Sequence, residues 1–223
     1  MDVIIVVHTE FGYVHNREVI YDKKATEGVN RGVTNLIKIA DKHGAKVTFA
    51  VMPEVARSFP KEINHEVGLH IHSGWEEFRS GELTYYVGDK YLREHCHQSS
   101  TSTVLRGYPY NEQLDMIKTG IDHLSDVLER IPTTFVAGRW SIDNNTVKAL
   151  ISAGMERDCS APAHSRFSHY DWSKLPRICM PYHPDAYDYQ KPGNLPLLII
   201  PISRMFPKGT VSPEIVPKIG LTW

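Results

Sequence analysis

The chain has 223 residues, 41% apolar and 23% charged, with 25 Lys and Arg against 26 Asp and Glu for a formal charge of −1. That is an ordinary soluble globular composition, and it excludes both a collagen-like chain and a largely disordered one. A balance this close to neutral also argues against a phosphate backbone as main partner, so no nucleic acid is expected.

In chain order, the opening residues carry Asp2 where a signal peptide carries basic residues, and they run straight into an apolar strand at residues 3–7, an N-terminus read as cytoplasmic. Val29, Val33, Leu36, Ile37 and Ala40 share one helical face that Gly44 closes. A buried strand is expected at residues 46–51, one or two helical turns at 53–58, and an alternating strand at 66–71. Leu114, Ile117, Ile121, Leu124 and Leu128 predict a helix over 111–130, stopped by Pro132 before a strand at 134–136. Ser141 or Asp143 can cap a helix over 144–153 that Gly154 ends, and the last core run is 195–202. The longest apolar runs are far short of the ~20 residues that span a bilayer, so no transmembrane segment is expected. The final residues, Gly220 to Trp223, show no closing helix, which leaves room for a longer chain.

Strands separated by helices predict an α/β fold with a mostly parallel sheet, and the length suits one domain over residues 1–223. In such folds the chemistry gathers at the carboxyl ends of the strands. Two stretches, 73–109 and 161–196, read as long irregular loops rich in Tyr, His and Pro, of the kind that wall binding sites. Cys96, Cys159 and Cys179 lack CxxC spacing, which suggests neither a disulfide framework nor a thiolate zinc site.

The unusual feature is twelve histidines. His8-Thr9-Glu10 sits just past the first strand, with His8 and Glu10 on one side while the chain stays extended. His70 and His72 are also two apart on a strand, with α-carbons about 6.6 Å apart, so both imidazoles can converge on a metal. With Glu10 as a third ligand the set suits a divalent cation, zinc above all. Two histidines hydrogen-bonded to backbone would show the same spacing. A competing cluster, His95-Cys96-His97, lies in a polar stretch and reads as a solvated loop. No nucleophile elbow, phosphate loop or dinucleotide fingerprint is present.

Taken together these segments resemble the polysaccharide deacetylase family, also called NodB-homology or carbohydrate esterase 4. The resemblance rests on His8-Thr9-Glu10, on Lys46-Val47-Thr48-Phe49-Ala50-Val51 and, most specifically, on His65-Glu66-Val67-Gly68-Leu69-His70-Ile71-His72. It continues through Phe135-Val136-Ala137-Gly138-Arg139-Trp140, Gly154 to Ser160, Pro181-Tyr182-His183-Pro184 and Leu197 to Ser203. It implies a distorted (β/α) barrel of about seven strands and a zinc-dependent amide hydrolysis that removes acetyl from an N-acetylated sugar. On this reading Glu10, His70 and His72 hold the metal and His8 stands where the family has its base Asp. Arg139 and Trp140 form the opposite wall, and Trp75, Tyr182 and His183 contact the sugar.

The departures from the pattern are paired. His8 replaces the base Asp, and Val136 stands where the family places the Arg that pairs with it, with Arg139 three residues on. Gly74 stands where the second His commonly falls, which assigns that ligand to His72. Ser203 follows the last strand where a His is frequent, leaving the late general acid unassigned. Two functions remain open: a carbohydrate deacetylase with His8 as base, or a glycan-binding protein of the same fold without efficient turnover. A structural role is a third, since fold does not settle function.

Overall fold

The computed structural model describes residues 4–10, 13–15, 18–20, 23–80 and 83–202. Ser203 and residues 220–223, on which two expectations fall, lie outside the described residues. In chain order the elements are β1 (Ile5–Thr9), β2 (Tyr13–His15), β3 (Glu18–Ile20), α1 (Lys23–Lys42), β4 (Val47–Val51), a 3-10 helix (Pro53–Ser58), β5 (Glu66–Ile71), β6 (Glu76–Ser80), β7 (Leu83–Val87) and α2 (Lys90–His95). There follow α3 (Tyr110–Leu128), β8 (Thr134–Ala137), α4 (Asn144–Ser152), β9 (Arg157–Pro162), β10 (Arg166–Phe167), β11 (Tyr170–Asp171) and β12 (Leu198–Ile202).

Six strands form a wholly parallel sheet in the order β1-β4-β5-β8-β9-β12. The order follows the chain without reversal, which is the winding of a barrel rather than of a doubly wound sheet with a switch point. The α/β fold expected from the sequence is therefore present: where a distorted (β/α) barrel of about seven strands was expected, the described residues form a half-barrel of six parallel strands. Two smaller sheets, β2-β3-β7-β6 and β10-β11, flank it. The stretches read as irregular loops thus contain strands β6, β7, β10 and β11.

Alternation of side chains along each strand sorts the sheet into two faces. Phe49, Val51, Leu69, Ile71, Phe135, Ala137 and Ile199 are 0–1% exposed and belong to the same core as the helix residues Val29, Val33, Ile117, Leu124 and Leu150. Leu36, expected on the buried stripe of α1, is instead 43% exposed, because the face turned to the sheet is centred on Val29, Val33 and Ala40. The other sheet face carries a separate small cluster of Ala50, Val136 and Cys159, with Val6 and Ile200 against it. Its amino-terminal end is closed by Glu66, which accepts from Thr48 (2.5 Å), Thr134 (2.6 Å) and Arg157 (2.8 Å).

Helix ends follow local chemistry. Gly44 (φ 63°) and Gly154 (φ 82°) take the left-handed position after α1 and α4, and Ala45 and Met155 donate back to Ala40 and Leu150 as a Schellman turn requires. Asp143, rather than Ser141, caps α4 in a reciprocal box with Thr146. Among the described residues no helix is long and apolar enough to cross a membrane.

Candidate metal centre

Because all six strands run the same way, the carboxyl ends of β1, β5 and β8 lie on one edge of the sheet, and four of the residues singled out from the sequence meet there. Register pairs His8 with Ala50, Ala50 with Gly68, and His70 with Val136, so the two histidines project from the same face over small neighbours. Glu10 Oε1 is the hub. It lies 3.0 Å from His70 Nε2, 3.5 Å from His72 Nε2 and 3.9 Å from His8 Nδ1. The donor atoms of His8, Glu10 and His70 lie within 4.8 Å of one another. The mutually close trio thus includes His8, the expected base, while His72 Nε2 lies 3.5 Å from the same Glu10 oxygen.

The histidines are held differently. His70 is fully buried, and its Nδ1 lies 2.9 Å from the carbonyl of Val136. A carbonyl only accepts, so Nδ1 carries a proton, and Nε2 is turned to Glu10. A carbonyl-bound Nδ1 is the arrangement that orients metal-binding imidazoles. His72 is 8% exposed, with its ring against Gly138, where an added Cβ would stand 2.6 Å from Nδ1. His72 Nδ1 is itself buried without a hydrogen-bond partner. The rings of His70 and His72 meet edge to face at 4.9 Å, and those of His8 and His70 are 4.6 Å apart.

Electrostatics suit a cation. Burial and the neighbouring His70 push the His8 pKa down to about 4 against the pull of Glu10, so the imidazole is neutral near pH 7. Burial lowers that of His72 as well, with His70 and Arg139 adding to it and Glu10 opposing. Burial alone would raise the Glu10 pKa, but hydrogen bonds from His70 and His72, together with their charges, hold it well below the usual carboxylate range. Imidazole nitrogens converging on one carboxylate oxygen form a nitrogen and oxygen donor set of the kind zinc takes. The residues present therefore fit a divalent metal.

The wall beyond β8 is strained. Arg139 and Trp140 are consecutive non-glycine residues with positive φ, 54° and 53°. Such conformations persist where surroundings fix them: here fully buried Trp172 donates to the Trp140 carbonyl (2.9 Å). The Trp140 ring stands edge-on to Tyr170 at 5.7 Å and lies 6.4 Å from the His8 ring. Arg139 Nη1 lies 3.0 Å from His169 Nε2, a residue the sequence did not single out.

The expected sugar contacts are dispersed. Trp75 follows His72 and is partly buried, with the Arg93 guanidinium 4.1 Å above its ring. Tyr182 is 8% exposed in the main core, donates to the Tyr189 carbonyl (2.8 Å) and bridges to Ile199, so its ring is spent on packing. His183 is exposed, and its Nδ1 lies 3.0 Å from the carbonyls of Leu195 and Leu197. In the competing cluster, His95 ends α2, stacks on Tyr91 and bonds its carbonyl, while His97 is exposed.

No protein-family model matches the chain, and no curated protein matches it. Among solved structures it is similar to one described as a "putative polysaccharide deacetylase from Mycobacterium smegmatis", with 19% identity and a TM-score of 0.46 over 82% of this chain and 52% of that one. The chain thus spans about half the length of that structure.

Proposed function

We propose that this chain is a metal-dependent hydrolase that removes an N-acetyl or similar acyl group from a sugar or glycan. The observation that carries the reading is the convergence of His8, Glu10 and His70 at the carboxyl edge of a parallel half-barrel, with His70 oriented through its far nitrogen. These three would hold the ion, zinc by the nature of the donors, with His72 bracing Glu10. When bound, zinc would supply Lewis acidity toward a carbonyl oxygen and a water of lowered pKa.

The chain's own residues supply the rest. Glu10 stays ionised and carries the negative charge of the site. Arg139, held beside His169, presents a permanent cation on the wall next to His72, where charge developing on a substrate oxygen would be stabilised. Trp140, whose ring lies 6.4 Å from that of His8, would offer an aromatic face to the apolar face of a pyranose ring. Trp75 and His183 remain proposed substrate contacts at the margin.

One observation favours the second reading, a glycan-binding protein without efficient turnover. With a pKa near 4, His8 is a weak proton acceptor at neutral pH, far from the matched value that makes a general base effective. The experiment that separates the two is acetate release from N-acetylated oligosaccharides with added zinc, alongside equilibrium binding of the same oligosaccharides. Zinc-dependent acetate release that His70→Ala abolishes supports the hydrolase. Saturable binding without release replaces it with the binding protein, and neither result leaves both readings wrong.

A further inference from the structure

Strand β9 carries a buried acid that the proposed chemistry does not use. Asp158 and Ser160 are both 0% exposed, and Ser160 Oγ donates to Asp158 Oδ1 at 2.5 Å. The same Oγ accepts from the Ala137 N–H at 2.7 Å. The Ala137 N–H and the Val136 C=O belong to one peptide group, and that carbonyl takes the proton of His70 Nδ1 at 2.9 Å. We propose that Asp158 and Ser160 are positioning residues for His70, acting through the Val136–Ala137 peptide. The inference rests on the metal-site reading for its functional meaning, though not for its geometry.

The direction of every bond in the chain is fixed. Ser160 Oγ donates to Asp158 Oδ1, so the serine hydrogen points to the carboxyl and an Oγ lone pair faces the Ala137 N–H. A peptide that donates at N–H is polarised toward a stronger acceptor at its carbonyl. Val136 O therefore holds Nδ1–H, and Nε2 is the nitrogen left for Glu10 and a cation. Ser160 also replaces a lost ladder bond, since the β8–β9 register runs only through Thr134 with Arg157 and Phe135 with Asp158. Without that hydroxyl the Ala137 N–H would be buried and unpaired just where the chain turns toward Gly138, whose α-carbon lies against His72. The relay thus secures the backbone behind both histidines.

The test uses the full chain labelled with nitrogen-15, read by long-range proton–nitrogen correlation of the histidine rings in metal-free protein and by zinc titration against a competing chelator. In the parent, His70 is expected to carry its proton on Nδ1. Ser160→Ala should shift the His70 ring nitrogen signals and weaken zinc by about 10–100-fold, the usual cost of losing a partner behind a ligand. Ser160→Thr, which keeps the hydroxyl, should restore both. A folded Ser160→Ala with parental ring signals and zinc affinity would overturn the proposal. If that variant does not fold, the parent alone decides: His70 with no proton on Nδ1 overturns the relay, and an Nδ1 proton supports it. Absence of zinc uptake by the parent would remove the metal-site reading while the ring signals still judge the relay.

Discussion

Gly138→Ala is a one-carbon change that separates a designed approach from an incidental one. A Cβ there would stand 2.6 Å from His72 Nδ1, 2.6 Å from the Ile71 carbonyl oxygen and 2.8 Å from His72 Cε1. The Ile71 oxygen belongs to β5 and has little room to move, so relief must come from the His72 ring or from the end of β8. Overpacking of this kind costs about 1–3 kcal/mol. The ring rotation that relieves it carries Nε2 away from its 3.5 Å contact with Glu10. Each ~1.4 kcal/mol lost at the site is a factor of ten in affinity, so zinc binding should weaken by about 10–100-fold, in line with losses behind other metal sites. Urea denaturation of metal-free protein reads the first effect, and a chelator competition titration reads the second. Gly28→Ala in α1, where a Cβ meets nothing within 4 Å, is the control and should be stabilising by roughly 0.5–1 kcal/mol. If Gly138→Ala matched its parent in both stability and zinc affinity, the argument that Gly138 shapes the site would be wrong.

Two other predictions address titration and ligand roles. Burial raises the Asp158 pKa from 3.8 to about 7, with Ser160 opposing, so between those values the native state holds a proton that the unfolded chain has released. Stability from this group is therefore fully present below about pH 4 and falls by ~1.4 kcal/mol per pH unit up to about pH 7, some 4 kcal/mol in all as an upper figure. Asp158→Asn cannot titrate, so its stability relative to the parent should climb across that window and then level off, which urea denaturation at several pH values would measure; a gap independent of pH would contradict the assignment. His8→Gln should weaken zinc binding by an order of magnitude or more if His8 is a ligand; parental zinc affinity with a lost rate would return it to the role of base.

Much of the site was readable from spacing, because residues two apart on a strand share a side and the carboxyl ends of parallel strands share an edge. That logic brought His8, Glu10, His70 and His72 together before any coordinates. Strands β4 and β8 were legible as largely apolar runs, and β5 because Val67, Leu69 and Ile71 alternate with Gly68 and His70. Strand β9 was not, since Asp158 and Ser160 satisfy each other inside the core and leave a run that reads as polar. Tyr182 misled for the opposite reason: flanked by Pro181, His183 and Pro184 it looks like a loop aromatic, yet a bridge to β12 draws it into the core. The partnership of Arg139 with His169 joins residues 30 apart with α4 and β9 between them, and no local pattern encodes it. The left-handed pair at Arg139 and Trp140 was equally hidden, because it is imposed by the packing of Trp172 rather than by residue type.

The most direct test of the account is the zinc stoichiometry of the purified chain after equilibrium dialysis, measured beside Glu10→Ala and His70→Ala. The account predicts close to one zinc per chain in the parent and none held in either variant. A parent that takes up no zinc, or variants that keep it, would contradict a metal centre at the carboxyl edge of β1 and β5.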